Sequence, residues 1–86
     1  MKFENILEYR GKSDKVSSQG RSYSTLKFED EEGDQIPFYC PADKNLTIRS
    51  TDLLKGHSYN LRMNYFMNPF DKVFRLELDD ILDDVG

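Results

Sequence analysis

Apolar and polar residues alternate with a period of two through most of this chain, the signature of half-buried β-strands, and no stretch keeps a long helical period. From Phe3 to Lys12, Leu7 and Tyr9 fall on one face and Glu8, Arg10 and Lys12 on the other, with Gly11 marking a bulge or a sharp bend. Ser13 to Gly20 is polar and reads as a loop. Arg21 to Glu29 alternates again, with Leu26 and Phe28 inward and Tyr23, Thr25 and Lys27 outward. Gly33 supplies a hairpin turn, and Gln35 to Cys40 returns with Ile36, Phe38 and Cys40 inward and Tyr39 outward. Pro37 cannot donate to a ladder, which predicts an edge strand. Thr51 to Gly56 reads as a short helical turn stopped by glycine. Two strands follow, joined by a loop carrying Phe66, Met67 and Phe70; in the second, Phe74, Leu76 and Leu78 form one apolar face.

Three strands, a short helix and two strands in 86 residues predict a single all-β domain spanning the chain. The expected architecture is a five-stranded Greek-key barrel of the OB-fold type, with the helix between strands 3 and 4. Such barrels bind oligonucleotides or oligosaccharides on strands 2 and 3 and the loops beside them. An SH3-like barrel and an open α+β sheet are the alternatives. No apolar run approaches the ~20 residues of a membrane span, and no leader pattern is evident, so a cytoplasmic protein without membrane contact is expected. The lone Cys40 sits on an apolar strand as a small core residue rather than a disulfide or metal ligand.

The net charge of −4 argues at first against nucleic acid, which demands Lys and Arg. Its distribution changes that picture. Five acids lie between Glu29 and Asp34 and five more between Glu77 and Asp84, and neither segment holds a base; the rest of the chain has six acids against twelve bases. The bland reading is that a hairpin tip and a terminus are acidic for solubility.

On the barrel frame Tyr23, Lys27 and Tyr39 face outward from strands 2 and 3, where a stacking platform for unpaired bases would lie. Lys12, Lys15 and Arg21 flank it from the first loop, Phe66, Phe70 and Lys72 from the last, and Arg62 and Arg75 extend the basic track on strands 4 and 5. Phe66 and Phe70 serve equally well as caps on an open barrel end or as contacts between protomers. Catalysis finds no support. His57 has no Cys partner for zinc, Asp79 and Asp80 are neighbours that a regular strand throws to opposite faces, Ser17 and Ser18 lack a base, and the glycines are spaced as turn residues. Neither a cofactor nor a metal is expected.

The segment Leu54-Lys55-Gly56-His57-Ser58-Tyr59-Asn60-Leu61, followed by Val73-Phe74-Arg75-Leu76-Glu77-Leu78-Asp79-Asp80-Ile81, resembles the second half of small OB-fold single-stranded DNA-binding proteins of phages, plasmids and integrative conjugative elements. The likeness covers about the last thirty-five residues, and the first forty by strand order alone. It implies sequence-independent binding of single strands in replication or conjugation, with replication or conjugation proteins as further partners. Three functions stay open on the residues themselves. One is single-stranded DNA binding. Another is protein interaction or homodimer formation through the Phe66 to Phe70 loop and the acidic C-terminus. The third is RNA or oligosaccharide binding by the same face.

Overall fold

A computed structural model describes Met1–Gly86 as one five-stranded antiparallel sheet in the order β3-β2-β1-β4-β5. The strands are β1 (Lys2–Val16), β2 (Ser22–Glu29), β3 (Gln35–Pro41), β4 (Ser58–Met67) and β5 (Phe74–Asp84). No ladder joins β3 to β5, so the sheet is open between its two outer strands, although these approach one another. No helix is long and apolar enough to cross a membrane.

β1 organises the sheet. Its first half pairs with β4, from Lys2 opposite Asn64 to Glu8 opposite Ser58, and its second half pairs with β2, from Glu8 opposite Glu29 to Val16 opposite Ser22. The strand thus runs four residues beyond Lys12, through the stretch expected to be loop, and the connection to β2 is only Ser17–Arg21. Ser13 to Val16 carry little apolar character, but β2 lies alongside and takes up their backbone groups.

Of the bulge or sharp bend expected at Gly11, the structure has the bulge. The register slips between Tyr9 and Gly11, leaving Arg10 as the extra residue, and Gly11 takes φ +132°, which side chains resist. Its consequence is a change of parity. Before the bulge Leu7 and Tyr9 face the core; after it Lys12 stands opposite Leu26 and Asp14 opposite Ser24, on the core side, while Ser13 and Lys15 face outward beside Thr25 and Tyr23. Lys12 therefore leaves the outer face on which uninterrupted alternation would place it.

The core contains Leu7, Tyr9, Leu26, Phe28, Phe38, Cys40, Leu46, Tyr59, Leu61, Met63, Leu78 and Ile81. Tyr9 tilts against Phe28 and meets Tyr59 edge-on, and the buried Tyr59 hydroxyl accepts the Leu54 N–H at 2.7 Å. Cys40 is 3% exposed, as its strand position implied, and burial pushes its thiol up. Phe74 and Leu76 share the side of Leu78 but extend past the core and stay exposed, so β5 contributes Leu78 and Ile81 rather than its whole apolar face.

The crossover from β3 to β4 holds no α-helix. A single 3₁₀ turn, Ser50–Asp52, is followed by Leu53 in extended conformation, and Gly56, at φ +91°, belongs to a turn in which His57 N–H donates to Leu54 C=O. A segment this short gains too little from a helix nucleus. It is pinned by tertiary contacts instead: Asp80 accepts the Thr47 N–H and hydroxyl, each at 2.7 Å, Ile48 N–H donates to Ile81 C=O, and Leu46 enters the core.

Candidate nucleic-acid interface

The parity change at Gly11 assembles the outer face of β1, β2 and β3 row by row. Lys15 lies opposite Tyr23, which lies opposite Pro41; Ser13, Thr25 and Tyr39 form the next row; Gly11, Lys27 and Pro37 form the third. No carboxylate occurs among these nine residues. The Tyr23 and Tyr39 rings meet at 5.0 Å with 41° between their planes, and Tyr39 is 62% exposed. A Cβ on Gly11 would meet nothing within 4 Å, so that corner of the face is open.

The ion pairs separate the basic residues into two groups. Lys12 lies 3.3 Å from Asp14, Arg10 is held by Glu8 and Glu29, Lys2 reaches Asp79, and Arg75 is paired with Asp71. Arg62 Nε donates to Asp79 at 2.6 Å with Asp80 3.8 Å from its other nitrogen. Lys15, Arg21, Lys27, Lys44, Arg49, Lys55 and Lys72 have no carboxylate within 4 Å. Three of these seven, Lys15, Arg21 and Lys27, stand on or beside the tyrosine face.

The two acidic segments behave differently from one another. Glu29 to Asp34 form the β2–β3 hairpin tip, where Asp30 accepts the N–H groups of Glu32 and Asp34. A surface concavity of about 580 Å³ lies against this end beside Glu4, Glu8, Glu29 and Glu31, a charge that repels phosphate. The second segment is not a free tail. Register slips on β5 bring both Asp79 and Asp80 toward Arg62, contrary to the alternation of a regular strand. Arg62 holds the Asp79 carboxyl below its ordinary range. Burial raises Asp80, but the Thr47 and Ile81 N–H groups and the Thr47 hydroxyl outweigh it and leave that group lowered too. Asp84 accepts from Gly86 N–H and lies 3.1 Å from His57 Nδ1, and Val85 N–H donates to Ser58 C=O. Removing the C-terminal acids from the charge balance therefore overstates the basic remainder, because β5 neutralises Arg62 and Lys2.

Of the residues selected from the sequence, the structure brings together Lys15, Tyr23, Lys27 and Tyr39, with Arg21 in the adjoining loop. Lys12 lies on the other side of the sheet, and Arg62 is engaged. Phe66 is a half-buried residue of β4 opposite Arg75 rather than a loop residue, Phe70 is 93% exposed at the tip of the β4–β5 turn, and Lys72 sits in that turn. Neither phenylalanine stacks on Tyr23 or Tyr39, and β1 lies between β2 and β4. Two cations were not foreseen. A groove of about 520 Å³ beside Arg21 and Tyr39 adjoins a second of about 490 Å³ that contains Lys44 and Arg49, and the two share Pro41, Ala42 and Asp43. Lys44 and Arg49 also have no ion-pair partner, but they fall in a crossover without strand periodicity, so nothing in the sequence aligned them with Tyr39.

No protein family, curated protein or solved structure matches this chain.

Proposed function

We propose that this chain is a non-catalytic OB-fold module that binds single-stranded DNA without regard to sequence, on the outer face of β2 and β3. The observation that carries the reading is the carboxylate-free face on which Tyr23 and Tyr39 meet at 5.0 Å between Lys15 and Lys27. Every base has a π-face, so the exposed Tyr39 ring and the half-buried Tyr23 ring beside it accept any sequence at ~1–3 kcal/mol per stacked base. The free ammonium and guanidinium groups of Lys15, Lys27 and Arg21 supply the counterion-releasing contacts to phosphate. Duplex bases are already stacked and hide their faces, which makes an unpaired strand the better ligand for such a surface. The strand order, with β3 and β5 approaching across the opening, supports a partly open five-stranded barrel, the architecture that binds oligonucleotides on this side. A place in replication or conjugation of a phage or mobile element follows from the family likeness of the second half of the sequence.

The chain has five tyrosines and no tryptophan, so tyrosine emission is directly readable. Titration with oligo-dT should quench it, the quenching should be reduced in each of Tyr23→Leu and Tyr39→Leu, and it should be lost when both are combined in a variant that keeps the wild-type far-ultraviolet spectrum. Quenching undiminished in the double variant would contradict the assignment.

A further inference from the structure

A second surface is left unexplained by the outer face. Where the paired β4 and β5 run past the core, Phe3, Tyr65, Met67, Phe74 and Leu76 occupy the core side of the sheet: Phe3 stands opposite Met63, Tyr65 opposite Leu76 and Met67 opposite Phe74. Each is between 38% and 58% exposed. Tyr65 and Phe74 stack at 5.2 Å with 13° between their planes, which presents their rings as a flat surface. The charged side chains Lys2, Glu4, Arg62, Arg75 and Glu77 all belong to the opposite side by alternation, so the charge nearest this face is the N-terminal ammonium, which donates to Tyr65 C=O at 2.7 Å and to Asn64 Oδ1. The edge beside it is unguarded. β3, the other outer strand, carries Pro37 and Pro41, whereas Phe74 to Leu78 has no proline and is covered by the crossover only beyond it, where Ile48 bonds Ile81.

We propose that this face is where two copies of the chain associate, each covering the other's Tyr65, Met67, Phe74 and Leu76. Nucleic acid fits poorly, because the face offers phosphate no cationic side chain, and the N-terminal ammonium at its border is already engaged by Tyr65 C=O and Asn64 Oδ1. An identical face does fit, because a two-fold axis sets the patch against itself with no like charges opposed. The area is sufficient. Five large side chains about half exposed give roughly 500 Å² per copy, so a symmetric pair removes roughly 1,000 Å² from these side chains alone. That meets the roughly 1,000 Å² that a specific interface needs and suits a reversible dimer. The association would carry two tyrosine faces on one particle, but it does not depend on what those faces bind.

Sedimentation equilibrium decides the matter. The wild-type chain should show a reversible monomer–dimer equilibrium, Phe74→Glu and Met67→Glu should each weaken it by about 100-fold or more, and Tyr39→Ala should leave it unchanged. Far-ultraviolet spectra report whether each variant folds. Amide shifts of the wild type followed on dilution give a second readout without substitution, and those that move should centre on Phe3, Tyr65 to Met67 and Phe74 to Leu76. A wild-type chain still monomeric at about 1 mM, a dimer indifferent to both glutamates, or dilution shifts centred on β2 and β3 would each overturn the proposal. So would a monomer whose single-strand binding is lost in Phe74→Glu, since the face would then belong to the nucleic acid.

Discussion

Removing the Lys27 side chain should change how single-strand binding responds to salt, by an amount that follows from the ion pairs. Each phosphate neutralised on a single strand contributes about −0.7 to the slope of log K against log salt. Lys15, Arg21 and Lys27 stand at the tyrosine face with no carboxylate within 4 Å, and each can displace a counterion. Together they give a slope of about −2. Lys27→Ala should reduce it by about 0.7, and the triple alanine variant should remove about 2, leaving what the unpaired Lys44 and Arg49 of the adjoining groove contribute. Arg62→Ala is the control. Its guanidinium is already held by Asp79, so the slope should stay as in the wild type while the protein loses stability. Oligo-dT titrations at four or more salt concentrations measure the slope, and thermal melts of the same samples separate folding from binding. A slope unchanged by Lys27→Ala and lowered by Arg62→Ala would refute the assignment of free and engaged cations.

Other consequences are as direct. Lys72 is the one non-glycine residue with positive φ, at 61°, so Lys72→Gly should stabilise the protein by about 0.5–1 kcal/mol in denaturant unfolding; a loss would show that the turn tolerates the side chain. Tyr59→Phe removes the only acceptor found for the Leu54 N–H, in a nearly buried position, and should cost about 1–2 kcal/mol in the same measurement; a neutral effect would mean water replaces the hydroxyl. Asp14, Asp71, Asp79, Asp80 and Asp84 are held below the ordinary carboxylate value in the folded chain. Because the unfolded chain takes up protons first, their contribution is complete above the unfolded value of about 3.9 and is lost as pH falls through the lower folded values. Stability should therefore fall steeply below about pH 4, and Asp80→Asn should flatten that fall; an unchanged acid transition would contradict the role of the Thr47 contacts.

The strands were legible where alternation meets a one-sided core. Leu26 and Phe28 against Tyr23, Thr25 and Lys27 is such a case, and so is Pro37 at an edge, because a missing donor excludes a central position. What alternation alone misplaces are the residues beyond a bulge. Gly11 was visible as an irregularity, yet its effect on Lys12 and Lys15 depends on how many residues of β1 face one residue of β2, which requires the partner's register. The same holds at Asp79, where a slip against β4 turns two neighbouring carboxylates toward one arginine. Depth was also out of reach. Phe74 and Leu76 were assigned the correct side, but no pattern within β5 says that the core ends at Leu78. The crossover escaped because its fixing contacts, Thr47 with Asp80 and Ile48 with Ile81, are tertiary and leave no period in the sequence.

The central claim is the tyrosine face, and fluorescence anisotropy of a labelled oligo-dT and of a matched duplex, each titrated with the wild type and with Tyr39→Ala, tests it most directly. The single strand should bind tighter than the duplex, and Tyr39→Ala should weaken it about 5- to 150-fold, the equivalent of ~1–3 kcal/mol for one stacked base. The melting temperature should move little, since Tyr39 is 62% exposed. Equal affinity for the duplex, or single-strand binding untouched by the loss of Tyr39, would contradict it.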